Sequence, residues 1–157
     1  YVSDTTITGS GSTLTNGAIV IKATGTGSAK ADLNRVQMEN NSNGIRVDGA
    51  GSTGGIKVTV RDSVSAGSTN AGIVAVSPAG GANIALLVSH TAAINNAKGL
   101  LADGAGAGVL VGNSVITGNT LGVSQVNGAN IGSYKNNQIN GNTTEGTSPP
   151  LTTVPLN

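Results

Sequence analysis

Cysteine, tryptophan and phenylalanine are absent from the chain, and its only aromatic residues are Tyr1 and Tyr134. Without cysteine, no disulfide can stabilise the fold. Charged residues make up 10% of the sequence, whereas an ordinary soluble domain has about 25%. An amphipathic helical bundle needs many Glu and Lys residues on its outer faces, so this composition excludes one.

Net charge and long hydrophobic runs are also missing. The formal net charge is +1, so no basic surface is available to attract nucleic acid or an anionic membrane. The longest apolar run, at 84–88, is far shorter than the roughly 18 residues that a membrane-spanning helix needs. We therefore expect no nucleic-acid partner and no membrane span.

What the chain does contain is glycine, 25 residues of it, together with Val, Ile, Leu, Ala, Asn, Ser and Thr, a mixture typical of strands joined by tight turns. Six segments align with one another, and spacings of 31, 27, 28, 23 and 23 residues separate the last position of each. That position is occupied by Ser10, Asn41, Ser68, Asn96, Asn119 and Asn142. A repeat of this length indicates a solenoid, with longer loops in its early turns.

The aligned aliphatic positions predict three walls around one interior, because alternate residues of a strand share a face. The first inward column contains Leu33, Val60, Val88, Val111 and Tyr134. Met38, Ala93, Ile116 and Ile139 form the second, and Ile45, Ile73, Leu100 and Val123 form the third. The predicted fold is all-β, a right-handed parallel β-helix (a single-stranded solenoid) over 1–146, with about six rungs of three short strands. Residues 147–157 form a proline-rich tail.

The Asn and Ser column is expected where the chain turns between two walls. A side-chain amide there donates and accepts hydrogen bonds with the turn backbone and with the amides above and below it. We predict an internal ladder of stacked polar side chains. Its members are Asn41, Ser68, Asn96, Asn119 and Asn142.

Four phrases resemble a known group of proteins: LNRVQME at 33–39, GSTGGIKVTVRDS at 51–63, VGNSVITGN at 111–119 and YKNNQINGN at 134–142. They are similar to bacterial right-handed parallel β-helix repeat proteins of the pectin-lyase-like superfamily. The resemblance extends over nearly the whole chain and is to the C-terminal half of longer secreted members, whose N-terminal rungs and cap are missing here. It implies the same fold, export, and a location outside the cell or at its surface.

The resemblance also implies a candidate enzyme site that acts on acidic polysaccharide. The column before the second wall reads Asp4, Arg35, Asp62, His90, Asn113 and Asn136. Stacking would place Arg35, Asp62 and His90 on one edge, close enough for ion pairing and proton transfer, as a lyase or hydrolase would require. The sequence offers neither a carboxylate pair nor an aromatic sugar platform there, so a solvated polar ladder is the favoured interpretation.

Two Asp-Gly-Ala-Gly segments, beginning at Asp48 and Asp103, raise the question of a cation site. Val76 occupies the equivalent position in the rung between them, so the two carboxylates would be roughly 9–10 Å apart. That separation is too large for a shared cation, and Asp-Gly is ordinary turn chemistry. We expect no metal and no cofactor.

The ends of a solenoid are open sheet edges, which native solenoids cap. Pro149, Pro150 and Pro155 cannot donate to a strand ladder, so the tail is expected to fold over the C-terminal end. At the N-terminal end, either a preceding region covers the edge or chains pair end to end. We favour a non-enzymatic extracellular structural or adhesive solenoid that self-associates through its ends. The alternative is a polysaccharide-binding or polysaccharide-cleaving protein.

Overall fold

The computed structural model describes residues 1–146 and 149–155, and within them the chain forms strands, turns and loops without any helix. Every strand pairing is parallel, and the strands stack into a β-solenoid of about five turns. The strands are β1 (Val2–Thr8), β2 (Ile19–Lys22), β3 (Ala29–Glu39), β4 (Asn43–Asp48), β5 (Ile56–Arg61), β6 (Val64–Ala66), β7 (Ala71–Val76), β8 (Ile84–Ser89), β9 (Ala92–Ile94), β10 (Lys98–Asp103), β11 (Ala107–Gly112), β12 (Val115–Thr117), β13 (Leu121–Val126), β14 (Asn130–Ser133), β15 (Gln138–Ile139), β16 (Thr144–Gly146) and β17 (Thr152–Thr153).

These strands form three walls. Wall A contains residues 29–34 of β3, followed by β5, β8, β11, β14 and β17. Wall B contains residues 5–8 of β1, residues 37–39 of β3, and then β6, β9, β12 and β15. Wall C contains β2, β4, β7, β10, β13 and β16. The long β3 continues through the corner between walls A and B, which joins their pairing into one sheet.

The interior is filled by the aliphatic columns that the repeat predicts. In wall A, Leu33, Val60, Val88 and Val111 are at most 3% exposed. In wall B the corresponding residues are Met38, Ala93 and Ile116, and in wall C they are Ile45, Ile73, Leu100 and Val123, all at most 3% exposed. One continuous hydrophobic core therefore runs the length of the solenoid, and the predicted all-β solenoid is confirmed.

The number of turns is about five rather than six. The first turn starts almost at the corner, so only Val2 and Ser3 pair with the wall A part of β3. In the last turn the strands shrink to two or three residues, as in β15 and β17. Six segments align in sequence, but the first and last build only partial turns.

The predicted inward position of Tyr134 is wrong. Val111 is in register with Ser133, so Tyr134 lies outside the core, beside Gly112, where an added Cβ would be 2.9 Å from the Tyr134 ring. The chain accommodates one extra residue here, and Lys135 takes a left-handed conformation with a φ of 62°. Register with the repeat returns at Val115, which pairs with Gln138.

The segment 149–155 extends wall A at the C-terminal end. Thr152 and Thr153 pair with Gly132 and Ser133, so the ladder continues between the prolines. Gln125 donates through Nε2 to the carbonyl oxygens of Pro149 at 2.7 Å and of Pro150 at 3.1 Å. The rest of the predicted tail, at 147, 148, 156 and 157, lies outside the described residues.

Two of the three corners contain a residue with left-handed backbone at the same position in every turn, and the corner between walls B and C also has a long loop in the first turn, at 9–18. Between walls A and B these residues are Asp4, Arg35, Asp62, His90, Asn113 and Lys135, with φ from 48° to 62°. Between walls B and C they are Gly9, Asn40, Gly67, Asn95, Gly118 and Gly141, with φ from 55° to 70°. The third corner, from wall C to wall A, contains loops of different lengths at 23–28, 49–55, 77–83, 104–106 and 127–129.

Candidate functional site

The structure places the three candidate catalytic residues at equivalent positions of the corner between walls A and B. Arg35, Asp62 and His90 all have exposed side chains there. The backbone N–H of Asp62 donates to Ser89 O at 3.3 Å, and that of His90 donates to Gly112 O at 3.3 Å. Stacking therefore brings the three residues onto one edge of the solenoid.

The backbone geometry of this corner explains much of its composition. Left-handed φ values are uncommon outside glycine, and Asp, Asn and His are several-fold enriched among the residues that adopt them. Asp4, Asp62, His90 and Asn113 fit this preference, with φ between 48° and 51°. Arg35, with a φ of 53°, does not. The column is first of all a series of turn residues.

Arg35 is held by an acidic partner on the turn before it. Its Nε donates to Asp4 Oδ1 at 2.6 Å and its Nη2 to Asp4 Oδ2 at 2.8 Å. The hydrogen bond from Arg35 lowers the pKa of the Asp4 carboxyl from its usual value, and the same contact raises the pKa of the Arg35 guanidinium. The charge of Arg35 is thus neutralised by Asp4.

Asn34 connects this ion pair to Asp62. With its amide oriented to satisfy both neighbours, the nitrogen donates to Asp62 Oδ2 at 3.2 Å and the oxygen accepts from Arg35 Nη1 at 2.8 Å. The result is a polar chain across three turns, in which the buried Asn34 links the exposed Arg35 and Asp62. Because Arg35 separates the carboxylates of Asp4 and Asp62, they do not form an acid–base pair on adjacent turns. No group of three metal-ligating side chains occurs anywhere in the described ranges.

The amide ladder lies inside the corner between walls B and C. Asn119 Oδ1 accepts from the backbone N–H of Asn96 at 2.8 Å and from Asn96 Nδ2 at 3.1 Å. Asn142 Oδ1 accepts from the same two groups of Asn119, at 3.0 and 2.9 Å. The Nδ2 groups also donate to strand carbonyls, such as Asn119 to Ala93 O at 2.9 Å. These contacts satisfy the polar groups of a turn buried against the core.

Serine interrupts the ladder at position 68. Its backbone N–H donates to Asn96 Oδ1 at 2.8 Å, but its buried Oγ has no hydrogen-bond partner. On the far side, Asn41 accepts from Ser10 N at 2.8 Å and donates to Ile7 O at 3.3 Å. The ladder therefore consists of two parts. A short part at Asn41 lies toward the N-terminal end, and a longer part runs from Ser68 toward the C-terminal end.

Glu145 ends the ladder at the C-terminal side. Its Oε1 accepts from the backbone N–H of Asn142 at 3.3 Å, and its Oε2 accepts from Asn142 Nδ2 at 2.7 Å. These are the two donors that a further Asn would satisfy with its Oδ1. The carboxylate thus substitutes for the next turn, a role that the aligned columns did not reveal because Glu145 lies outside them.

Asp48 and Asp103 have separate structural partners. Val76 pairs with both and lies between them. The buried Asp48 forms an ion pair with Arg46 at 3.0 Å, and its Oδ1 accepts from Ala50 N at 2.9 Å, which closes an Asx turn. Asp103 Oδ1 accepts from Asn127 Nδ2 at 2.7 Å. Asp48 thus stabilises its own loop, whereas Asp103 bonds to the loop of the next turn.

A shallow groove with a volume of about 790 Å³ lies on the outer face of wall A. Lys30 and Lys57 lie at one end, and Ala85, Leu87 and Leu110 lie farther along. We did not predict this groove from the sequence. The available signal was the alternation of β5, β8 and β11, whose outward residues change from charged to apolar.

The described residues contain no helix that could cross a lipid bilayer. Protein-family models, curated proteins and solved structures were all compared with the chain, and none matches it. The assignment to the parallel β-solenoids therefore rests on the strand register and the core described above.

Proposed function

We propose that this chain is a non-enzymatic structural or adhesive β-solenoid that acts outside the cell, and that copies associate through the N-terminal end of the solenoid. The observation that carries the proposal is that the first strands of the described residues have a pairing partner on one side only. Within the described residues, β1 pairs only with β3, and β2 pairs only with β4. Unpaired strand edges of this kind are templates for pairing with another chain.

The same end has incompletely buried apolar side chains. Val2, Ile19 and Ile21 pack against the core, and all three are only partly buried. The equivalent residues one turn later are fully buried: Leu33 is 1% exposed and Ile45 is 0% exposed. Covering this end with a second copy would remove apolar surface from water and satisfy edge hydrogen bonds together.

The opposite end is less available. Glu145 already satisfies the last amide of the ladder, and the last strand of wall A, β17, has only two residues to offer for pairing. A head-to-tail filament would have to displace these contacts. A contact between two N-terminal ends leaves them in place and closes on itself as a two-fold dimer.

Several lines of support favour the structural role over catalysis. Arg35 is neutralised by Asp4, and Asp62 and His90 occupy positions that the turn geometry explains. The extracellular location and the kinship with pectin-lyase-like β-helix proteins rest on the resemblance of the repeat phrases. The solenoid fold is compatible with both.

The association is tested by size-exclusion chromatography with light scattering and by negative-stain microscopy. We expect rods twice the length of one protomer. A Thr6→Lys/Thr8→Lys variant adds exposed charge to β1, so like charges meet across the two-fold contact and the dimer should dissociate. The matched control, Thr144→Lys/Thr153→Lys at the C-terminal end, should remain dimeric. Monomers at all concentrations would contradict the proposal, as would dissociation of the control alone.

The absence of catalysis is tested separately by incubation with mixed acidic polysaccharides. We expect neither unsaturated products nor new reducing ends. Release of either product would contradict the non-enzymatic assignment and favour the polysaccharide alternative. Loss of that release in alanine variants of Arg35, Asp62 or His90 would then locate the site.

A further inference from the structure

Two lysines of wall A lie side by side. Lys30 and Lys57 are in register on adjacent parallel strands, which are about 4.8 Å apart. Both side chains are exposed and line the groove. Neighbouring Asp32 is paired with Arg61 at 3.0 Å, so this end of the groove keeps two net positive charges. Like charges directly opposite each other on a sheet repel, and a bound anion would relieve the repulsion.

The rest of the groove is mostly apolar, with Thr59, Asn130 and Thr152 as its polar residues. The position after Lys57 in the same row is Ala85, followed by Gly108. In the adjacent row, Leu87 is followed by Leu110, which is 39% exposed. A Cβ on Gly132 would lie 2.8 Å from both Leu110 Cδ2 and Val154 Cγ2, so these two side chains meet over that glycine. The outer face of wall A thus becomes a continuous hydrocarbon strip toward the C-terminal end.

The groove therefore combines a cationic end with a long apolar floor. From β3 to β17 it crosses five strand spacings, or roughly 24 Å, and its volume of about 790 Å³ is within the range of small-molecule sites. We propose that it binds an amphiphilic anion, a molecule with one carboxylate or phosphate headgroup at Lys30 and Lys57 and an unbranched alkyl chain along Leu87, Leu110 and Val154.

A polysaccharide fits this surface less well. Sugar rings are recognised by aromatic faces and by many hydrogen-bonding groups, whereas the floor beyond Thr59 consists mainly of Ala, Leu, Gly and Val side chains. An alkyl chain needs only such apolar surface, and it gains free energy with each methylene removed from water. The change from lysine to aliphatic side chains along one face matches the two halves of an amphiphile.

Isothermal titration calorimetry with dodecanoate below its micellar concentration tests the ligand class. Acetate has the headgroup without the chain, and dodecyltrimethylammonium has the same chain with the opposite charge. We expect saturable binding of dodecanoate and at least tenfold weaker binding of the other two. Equal binding of the cationic amphiphile would overturn the proposal, as would no binding of dodecanoate. Dodecyl phosphate, run in parallel, distinguishes a phosphate from a carboxylate headgroup.

Variants locate the site. Lys30→Gln/Lys57→Gln and Ala85→Glu should each weaken dodecanoate binding at least tenfold, and Leu110→Ser should do so through the apolar strip. The matched controls are Lys22→Gln and Val126→Ser, exposed positions on wall C that should leave binding unchanged. Circular dichroism checks that each variant is folded, and Ala85→Glu changes only an exposed side chain.

Titration with oligogalacturonate, an acidic polysaccharide fragment, tests the alternative ligand. Binding of this polymer that exceeds dodecanoate binding and survives Leu110→Ser would overturn the proposal in favour of a polysaccharide groove. The substituted groove residues lie on β3, β5, β8 and β11 and not on β1 or β2, so the test of the groove succeeds or fails separately from the test of the dimer.

Discussion

The backbone N–H and the side-chain Nδ2 of Asn119 donate to the same oxygen, Oδ1 of Asn142, at 3.0 and 2.9 Å. One amide oxygen thus accepts hydrogen bonds from two donors of the preceding turn. Asn96 donates to Asn119 in the same way. Each Asn in this column depends on the next, so the ladder couples neighbouring turns in a way that a row of aliphatic contacts alone would not.

Removing the central amide should be costly. Asn119→Ala eliminates the acceptor for two donors of Asn96 and leaves Ala93 O without its side-chain partner. We expect a loss of about 3 kcal/mol in the free energy of unfolding, measured by urea denaturation. Asn41→Ala, at the open end with fewer partners, should lose only about 1 kcal/mol. Equal losses would contradict the coupling.

Ser68 offers the reverse experiment. Its Oγ is buried without a partner, so Ser68→Asn should continue the ladder toward Asn41 and raise the free energy of unfolding by about 1 kcal/mol. Ser68→Ala removes only an unsatisfied hydroxyl and should change stability little. If Ser68→Asn is less stable than Ser68→Ala in the same urea titration, the cavity does not accept an amide.

Glycines after the ladder are required by close packing. A Cβ on Gly99 would lie 2.5 Å from Ile116 Cγ2, 2.6 Å from Gly122 O and 2.8 Å from Asn119 Nδ2. We expect Gly99→Ala to destabilise the protein by about 3 kcal/mol, because core and ladder must both shift. Gly55→Ala is the control, since nothing lies within 4 Å of its added Cβ. Thermal unfolding of the two variants should differ clearly.

The corner position of His90 can be separated from a chemical role. His90→Asn keeps a side chain that tolerates left-handed backbone and should leave stability nearly unchanged. His90→Val places a β-branched residue at a φ of 48° and should cost about 1–2 kcal/mol. Chemical denaturation measures both. Equal stability of the two variants would show that the turn geometry does not select the residue.

Stability should fall in acid partly because of Asp4. Its pKa is lowered in the folded state by Arg35, so the folded protein binds this proton more weakly than the unfolded chain. The contribution is complete above the ordinary value of 3.8 and is lost as the pH falls through the lowered pKa. Asp4→Asn should flatten the acid limb of the stability curve. An unchanged slope would show that the exposed pair contributes nothing.

The repeat made the interior predictable. Inward positions such as Val60 and Ile73 recur at every turn, and period-two alternation fixes which face each occupies. The position of Tyr134 was predicted wrongly because the extra residue after β14 leaves the overall spacing of 23 residues unchanged. It nevertheless shifts the register of β14 by one residue. Spacing between distant columns cannot reveal a local offset that is compensated within the same turn.

For the residues at the corner between walls A and B, the sequence predicted the position but not the role as turn residues. Asp62 and His90 were expected on one edge and are found there, yet their backbone conformation becomes visible only in three dimensions. Glu145 was unpredictable for another reason, because it closes the ladder from outside the repeat. The groove was predictable in part. The strand pattern places Lys57 and Leu87 on the outer face of wall A, but it does not show that this face is concave.

The loops of the third corner explain most of the drop in repeat spacing from 28 to 23 residues. The loops at 49–55 and 77–83 contain seven residues each, whereas those at 104–106 and 127–129 contain three. The corner between walls B and C has a long loop only in the first turn, at 9–18, and has three or four residues in the later turns. New sequence can therefore enter this scaffold in several successive turns along one ridge, beside the start of each wall A strand. Grafted peptides placed there would project in a row at intervals of about 4.8 Å, which makes the ridge a natural place to display an ordered array of epitopes.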